Sequence, residues 1–170
     1  MSRSILVLGG ARSGKSRYAE ELAGKHRGER IYIATAEAGD EEMRQRIADH
    51  RQQRGMRWQT VEEPIELPNA LQDMCGEGRL VLVDCITLWL SNLMLRGRDV
   101  QREIDRFCMM LPGLEGTVIL VSNEVGFGIV PENALARRFR DEAGFANQRI
   151  AAACDEVVVM FAGMALKLKG

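Results

Sequence analysis

The sequence has no long apolar stretch. Its longest uninterrupted hydrophobic run covers only Val157–Ala162, whereas a membrane-spanning helix needs about 20 apolar residues. The first residues also lack the extended hydrophobic segment that is typical of a secretory signal. We therefore expect no membrane span, no secretory signal and a cytoplasmic protein.

Cysteine and histidine are also scarce, and neither positive nor negative charge is in excess. The chain has four cysteines, none of them in C-x-x-C spacing, and two histidines, so we predict free thiols rather than a zinc site. The 23 basic and 24 acidic residues give a net charge of -1, which excludes a general nucleic-acid binder. Only 4 of the basic residues are lysines, so a lysine inside a motif carries more weight.

Short β-rich runs alternate with helical patterns along the whole chain. This alternation is typical of an α/β domain with a mostly parallel sheet, and we predict a single domain over residues 1–170. Strands are predicted at Ser4–Leu8, Arg30–Thr35, Arg57–Val61, Leu80–Val83, Thr117–Ser122, Glu156–Phe161 and Ala165–Leu168. Helices are predicted at Ser13–Lys25, Asp40–Arg54, Asn69–Met74, Leu88–Leu95, Val100–Leu111 and Glu132–Cys154, the last with a bend at Gly144.

The first predicted strand runs into a glycine-rich segment that matches G-x-x-x-x-G-K-[ST] without a gap. Glycines let such a loop curl its N–H groups toward phosphate oxygens, and the following helix adds the positive end of its dipole. The alternative is an ordinary glycine turn, but the motif has the strand before it and the helix after it that it requires. We predict nucleotide binding by Gly9, Gly10, Ala11, Arg12, Ser13, Gly14, Lys15 and Ser16.

An acidic residue ends another apolar strand. Asp84 follows Leu80–Val83, which is where P-loop proteins carry the carboxylate that holds Mg²⁺. The alternative is a polar strand terminus or a helix N-cap. We predict that Asp84 and the hydroxyl of Ser16 ligate Mg²⁺, and that Lys15 contacts the phosphates.

A histidine lies in a strongly basic segment. The stretch 44–57 holds five arginines and one acidic residue, with His50 near its centre. A neutral imidazole is a competent nucleophile toward phosphorus and can carry a covalent nucleotidyl group, while arginines would neutralise phosphate charge. The residues alone leave a second interpretation open, a solvated basic helix with an incidental histidine.

Several further blocks carry a family resemblance. They include the phosphate loop (9–16), Y-I-A-T-A (32–36), R-I-x-x-H-R-x-x-R (46–54), W-Q-T-V-E (58–62), D-C-I-T (84–87) and N-E-V-G-F-G-I-V-P-E-N (123–133). In these blocks the sequence resembles the bifunctional adenosylcobinamide kinases / adenosylcobinamide-phosphate guanylyltransferases of cobalamin biosynthesis. The blocks span nearly the whole chain in the family's order.

The resemblance implies two reactions in one RecA-like P-loop fold with a C-terminal antiparallel hairpin. ATP or GTP phosphorylates adenosylcobinamide; GTP then donates GMP to the resulting phosphate through a GMP-histidine, with His50 as the matching position. It also implies a homotrimer. Beyond the phosphate loop, the family's nucleotide-binding positions fall on Ala34, Thr35, Ala36, Arg51, Gln52, Gln53, Arg54, Glu62 and Asp84.

Two other functions remain as alternatives at this stage. One is a small-molecule kinase in which His50 and its arginines only clamp phosphate. The other is a nucleotide-switched binding module without metabolite chemistry. Glu124, after the Thr117–Ser122 strand, is a candidate base for the acceptor hydroxyl; the alternative is a loop carboxylate that bonds backbone N–H groups.

Overall fold

A computed structural model describes residues 2–37 and 58–170. Within them, seven strands form one sheet in the order β3-β2-β4-β5-β1-β6-β7. The strands are β1 (Arg3–Gly9), β2 (Glu29–Ala34), β3 (Gln59–Glu62), β4 (Arg79–Asp84), β5 (Thr117–Asn123), β6 (Glu156–Phe161) and β7 (Met164–Lys169). Strands β1 to β6 run parallel, and β7 is antiparallel to β6. The predicted α/β fold and its C-terminal hairpin are therefore confirmed.

The helices cover the two faces of the sheet unequally. They are α1 (Lys15–Gly24), α2 (Leu67–Met74), α3 (Ile86–Leu95), α4 (Val100–Met110) and α5 (Ala134–Ala153). Helix α1 packs Ala19 and Ala23 on the face of Ile5 and Val7. The other helices pack on the opposite face, around Leu6. Because apolar side chains cover both faces of the central strands, these strands read as continuous hydrophobic runs.

Several predicted boundaries differ from the structure for local reasons. Helix α1 begins at Lys15 rather than Ser13 because Gly14 has a left-handed φ of 97°. Helix α2 begins at Leu67, two residues before the predicted start at Asn69, because a proline is well tolerated in a first helical turn. Helix α5 begins at Ala134, capped by Asn133, and continues through Gly144 without interruption. The helix predicted over 40–54 lies outside the described residues.

A carboxylate fastens the start of β6 to β1. Asp155 Oδ2 accepts hydrogen bonds from the Ser4 N–H and from Ser4 Oγ, both at 2.7 Å. Next to it, the Arg3 guanidinium donates to Glu156 Oε1 at 2.6 Å. The Ser4 hydrogen bonds lower the pKa of Asp155, and Arg3 lowers the pKa of Glu156.

These lowered pKa values predict a stability that depends on pH. Because Asp155 binds its proton less tightly when folded, its contribution is complete above its unfolded pKa of about 3.9 and is lost as pH falls through the lower folded value. We expect Asp155→Asn to lower the free energy of unfolding at pH 7, and the difference from wild type to shrink toward pH 2. Urea titrations across pH 2–7 measure this, with exposed Asp73→Asn as the control. A difference that stayed constant with pH would contradict the assignment.

Candidate active site

The carboxyl ends of six parallel strands meet at one edge of the sheet. Along this edge, Gly9 of β1 is level with Asn123 of β5, and Ala34 of β2 is level with both Asp84 of β4 and Glu62 of β3. Ligands of open α/β sheets bind at this edge. The phosphate loop, 34–36, Glu62 and Asp84 therefore lie along the same edge of the sheet, although they are far apart in sequence.

Two glycines give the phosphate loop its shape. At Gly9 (φ 155°) a Cβ would lie 2.6 Å from Ser13 Oγ and 2.7 Å from the Met160 carbonyl oxygen. At Gly14 (φ 97°) a Cβ would lie 3.3 Å from Gly163 Cα, in a backbone conformation that side chains rarely adopt. The loop therefore folds tightly between β1 and α1, with the N-terminus of α1 at the site edge.

Lys15 lies within this loop and is only 7% exposed. Its Nζ donates a hydrogen bond to the Gly10 carbonyl at 2.5 Å. Burial lowers the pKa of Lys15, while nearby Cys85 and Asp84 act in the opposite direction. The ammonium group is thus held inside the curl of the loop.

The Asp84 carboxylate lies beside the start of α1. Its Oδ2 accepts from Ser16 Oγ at 3.3 Å and from the Tyr32 hydroxyl at 2.8 Å. The Tyr32 ring packs edge-on against Trp58, with centroids 6.0 Å apart. Tyr32 was not predicted as a site residue; the available signal was a hydroxyl-bearing ring between two buried isoleucines, Ile31 and Ile33.

These groups fit a magnesium ion that also binds phosphate. Mg²⁺ prefers hard oxygen ligands and is commonly held by one or two protein groups together with substrate phosphates and water. Ser16 and Asp84 offer two such oxygens side by side. Among residues 2–37 and 58–170, no group of three or more acidic, histidine or cysteine side chains could hold a metal. From the described residues, such an ion would have Ser16 and Asp84, with nucleotide oxygens and water as further ligands.

Thr35 ties the ends of β2 and β4 together. It is fully buried; its hydroxyl donates to the Cys85 carbonyl at 2.7 Å and accepts from the Cys85 N–H at 2.8 Å. Asn92 from α3 donates to the Thr35 carbonyl at 2.8 Å. The Thr35 side chain is therefore occupied with its neighbours, and Ala34 and Ala36 flank it at this edge.

A partly buried polar network holds the end of β5. The Asn123 amide and side-chain nitrogens each donate to Thr87 Oγ1 at 3.0 Å, and Asn147 from α5 donates to the Asn123 carbonyl at 3.1 Å. Glu124 comes next: its N–H donates to the Gly9 carbonyl at 3.0 Å, and its Oε1 accepts from the Gly126 N–H at 2.7 Å. One Glu124 oxygen thus accepts a backbone hydrogen bond, as expected if Glu124 is a loop carboxylate that bonds backbone N–H groups.

Five predicted site residues cannot be placed against this geometry. His50, Arg51, Gln52, Gln53 and Arg54 lie outside the described residues. In the sequence, they fall between Glu37, three residues after the end of β2, and Trp58, one residue before the start of β3. Glu62 is exposed at the end of β3.

The model of the cobinamide kinase / cobinamide phosphate guanyltransferase family matches residues 5–168. The chain belongs to this family. It is a bifunctional kinase and guanylyltransferase of adenosylcobalamin biosynthesis rather than a nucleotide-switched binding module.

Curated relatives agree over nearly the full length of the chain. It is 50% identical to a bifunctional adenosylcobalamin biosynthesis protein of Pseudomonas aeruginosa, over 97% of this chain and 96% of that one. It is 41% identical to the corresponding protein of Escherichia coli, over 97% and 99%. The Salmonella typhimurium protein is 42% identical over the same shares.

Solved structures confirm the fold class. An ATPase from a type III secretion system superposes with a TM-score of 0.59, covering 97% of this chain and 56% of that one at 11% identity. At that identity the likeness concerns the fold alone. Within the described residues, no helix is long and apolar enough to span a membrane.

Proposed function

We propose that one edge of the sheet, within a single domain spanning residues 1–170, carries out both reactions of the family. In the first, the hydroxyl oxygen of adenosylcobinamide bonds to the γ-phosphorus of ATP or GTP and loses its proton to water, while the P–O bond to the nucleoside diphosphate breaks. In the second, GMP passes from GTP to the new phosphate and pyrophosphate leaves, giving adenosylcobinamide-GDP. The observation that supports this proposal most directly is the phosphate loop, in which Lys15 lies beside Ser16 and Asp84.

Each group at this edge has a defined task in the proposal. The N–H groups of 9–16 and the N-terminus of α1 bind phosphate oxygens. Lys15 Nζ exchanges the Gly10 carbonyl for a phosphate oxygen, and Ser16 and Asp84 would hold Mg²⁺. The ion would supply positive charge to the transferring phosphate. Tyr32 orients the Asp84 carboxylate through its 2.8 Å hydrogen bond.

His50 is the proposed nucleophile of the second reaction. Its ring nitrogen attacks the α-phosphorus of GTP, so that a P–N bond forms and the P–O bond to pyrophosphate breaks. A phosphate oxygen of the corrinoid then attacks the same phosphorus and breaks the P–N bond. If each step inverts, the α-phosphorus keeps its configuration overall. Arg51 and Arg54 would neutralise the phosphate charge, and Gln52, Gln53, Glu62 and 34–36 complete the nucleotide site.

Isotope labelling separates the two proposed reactions. The protein is incubated with Mg²⁺ and α-labelled GTP without corrinoid, denatured and examined for label on the chain. We expect a covalent label that is lost in acid and kept in base, as for a phosphoramidate. In parallel, γ-labelled ATP and adenosylcobinamide are expected to give labelled adenosylcobinamide phosphate. A folded protein that binds GTP but takes up no label would contradict the covalent step.

We further propose a homotrimer in the cytoplasm. Large apolar side chains stand exposed on the loop after β5 and on β7, including Ile129, Val130, Met164 and Leu166, and would be covered in an oligomer. The four cysteines are free thiols, as expected in a reducing compartment. The proposed binding partners are adenosylcobinamide, its phosphate, ATP and GTP, with no nucleic acid. Sedimentation equilibrium measures the mass of the assembly.

A further inference from the structure

The two reactions make opposite demands on one phosphate loop. The kinase step needs the γ-phosphorus at the acceptor, whereas the guanylyl step needs the α-phosphorus at its nucleophile. If the β-phosphate stays in the loop, turning the nucleotide around exchanges the positions of the α- and γ-phosphorus. The reacting position can then stay the same, but the nucleoside must occupy a different place in each step.

The first of these places lies on the β3 side of the phosphate loop. Glu62, a proposed nucleotide contact, ends β3, which is four strand positions from β1, or about 19 Å at the usual strand spacing. A nucleotide whose base lies toward Glu62 extends its triphosphate along the edge. Its pyrophosphate end then lies in the loop, and its α-phosphorus lies toward β2, the strand that precedes the segment containing His50.

A cavity on the opposite side of the phosphate loop can supply the second place. We call it the β6-side pocket. It has a volume of about 360 Å³ and is lined by residues 9–13, Glu124, Phe127 and residues 159–162. Sites for small organic ligands begin at about 300 Å³ and are mostly apolar with a few polar groups. The volume and lining therefore suit a nucleoside that continues from phosphates bound in the loop.

The frame of this pocket is fixed to the phosphate loop. The β6–β7 turn, in which Ala162 and Gly163 have positive φ, donates a hydrogen bond from the Gly163 N–H to the Ser13 carbonyl at 3.0 Å. On the other wall, the Glu124 N–H bonds the Gly9 carbonyl at 3.0 Å. Both walls are therefore hydrogen-bonded to the loop, which places the pocket directly beside it.

The side chains in the pocket offer the contacts that a purine uses. Phe127 and Phe161 are 83% and 53% exposed although both are aromatic, and base–aromatic stacking accepts any base. Glu124 has one oxygen bonded to the Gly126 N–H, and its carboxylate can accept from a purine amino group. Ser13, which also lines the pocket, is 9% exposed, and its buried hydroxyl has no hydrogen-bond partner.

We propose that the β6-side pocket binds the purine nucleoside of the phosphoryl donor during the kinase step. In that orientation the γ-phosphorus points from the loop toward Asp84. The Glu62 side binds guanosine during guanylyl transfer, with the α-phosphorus in the corresponding position. This inference rests on the proposed function, because it assigns the two nucleotide orientations of that site.

Aromatic variants test the pocket in solution. ATP is the donor, because it serves the kinase step and cannot donate GMP. We expect the double variant Phe127→Ala, Phe161→Ala to raise the KM for ATP about tenfold, from lost stacking, while covalent labelling by α-labelled GTP stays within about twofold of wild type. Phe145→Ala is the matched control, because Phe145 is 56% exposed on α5 and does not line the pocket. An unchanged KM, or equal losses in both assays, would overturn the proposal.

Photo-crosslinking gives a readout that does not depend on activity. With 8-azido-ATP and Mg²⁺, we expect label on the tryptic peptide 150–167, which contains β6 and its turn. Label confined to peptide 58–79, which contains Glu62, would overturn the proposal. Wild-type protein that forms neither product would instead contradict the proposed function. Sedimentation also compares the oligomeric state of the double variant with that of wild type. If the loss of kinase activity accompanied a change of oligomeric state, the two phenylalanines would belong to a subunit contact, and the proposal would be overturned.

Discussion

Replacing His50 with asparagine is expected to abolish covalent labelling by α-labelled GTP, with labelling and GMP transfer falling by at least about a thousandfold. Asparagine has no ring nitrogen that can attack phosphorus, so no P–N bond can form. Phosphorylation of adenosylcobinamide from ATP is expected to persist in part, because the phosphate loop and Asp84 do not depend on a covalent nucleotide. Gel-resolved label and chromatography of the two corrinoid products measure both activities on one protein sample.

His26→Asn is the matched control for this experiment. His26 is the other histidine of the chain, and its Nε2 lies 3.0 Å from the Gly78 carbonyl. This contact lies ahead of β2 and β4, at the end of the sheet opposite the phosphate loop. We expect the His26→Asn protein to take up covalent label from α-labelled GTP to the same extent as wild type. Undiminished labelling in His50→Asn would place the covalent bond on another residue and would leave His50 with the arginines as a phosphate clamp.

Lys15→Ala is expected to damage both reactions, because one phosphate loop serves both. The buried ammonium of Lys15 interacts with phosphate charge in a site with little water, where loss of one such donor typically costs about 100- to 1,000-fold in rate. We expect kcat/KM for phosphoryl transfer and the rate of guanylyl labelling to fall by comparable factors. Initial rates at saturating and limiting nucleotide separate binding from turnover.

Lys25→Ala controls for the loss of a lysine from the same part of the chain. Lys25 is exposed just past the end of α1, and we expect its loss to leave both rates unchanged. Thermal unfolding of the two variants checks that each remains folded. A Lys15→Ala protein that lost phosphoryl transfer but kept wild-type labelling would show that the two triphosphates bind in separate sites, which would also remove the reason for two nucleotide orientations.

The phosphate loop could be predicted from the sequence because its constraints are local. Gly9 has no room for a side chain, and Gly14 has a left-handed φ where a Cβ would crowd Gly163, so only certain residues can build that turn. Asp84 was found for a similar reason, as the polar end of an apolar strand. Helix starts were predicted less well, because they depend on caps such as Asn133 and on single backbone conformations such as that of Gly14.

The tertiary structure alone supplied the partners of these residues. Tyr32 reaches Asp84 across 52 positions of sequence, and Thr35 reaches Cys85 across 50. Such contacts depend on strand order and register, which arise from long-range packing rather than from local pattern. The same applies to the β6-side pocket, which exists because β6 pairs with β1 and brings residues 159–162 beside 9–13.

By itself the sequence determined an α/β chain with a P-loop, a family resemblance and a list of candidate residues. It could do so because motif spacing and apolar periodicity are properties of the linear sequence. Only the tertiary structure decided which of those candidates meet at one edge, which hydroxyls are already occupied and where a cavity remains. Hydrogen bonds and cavities form between residues that the fold brings together, and their distances cannot be read from sequence separation.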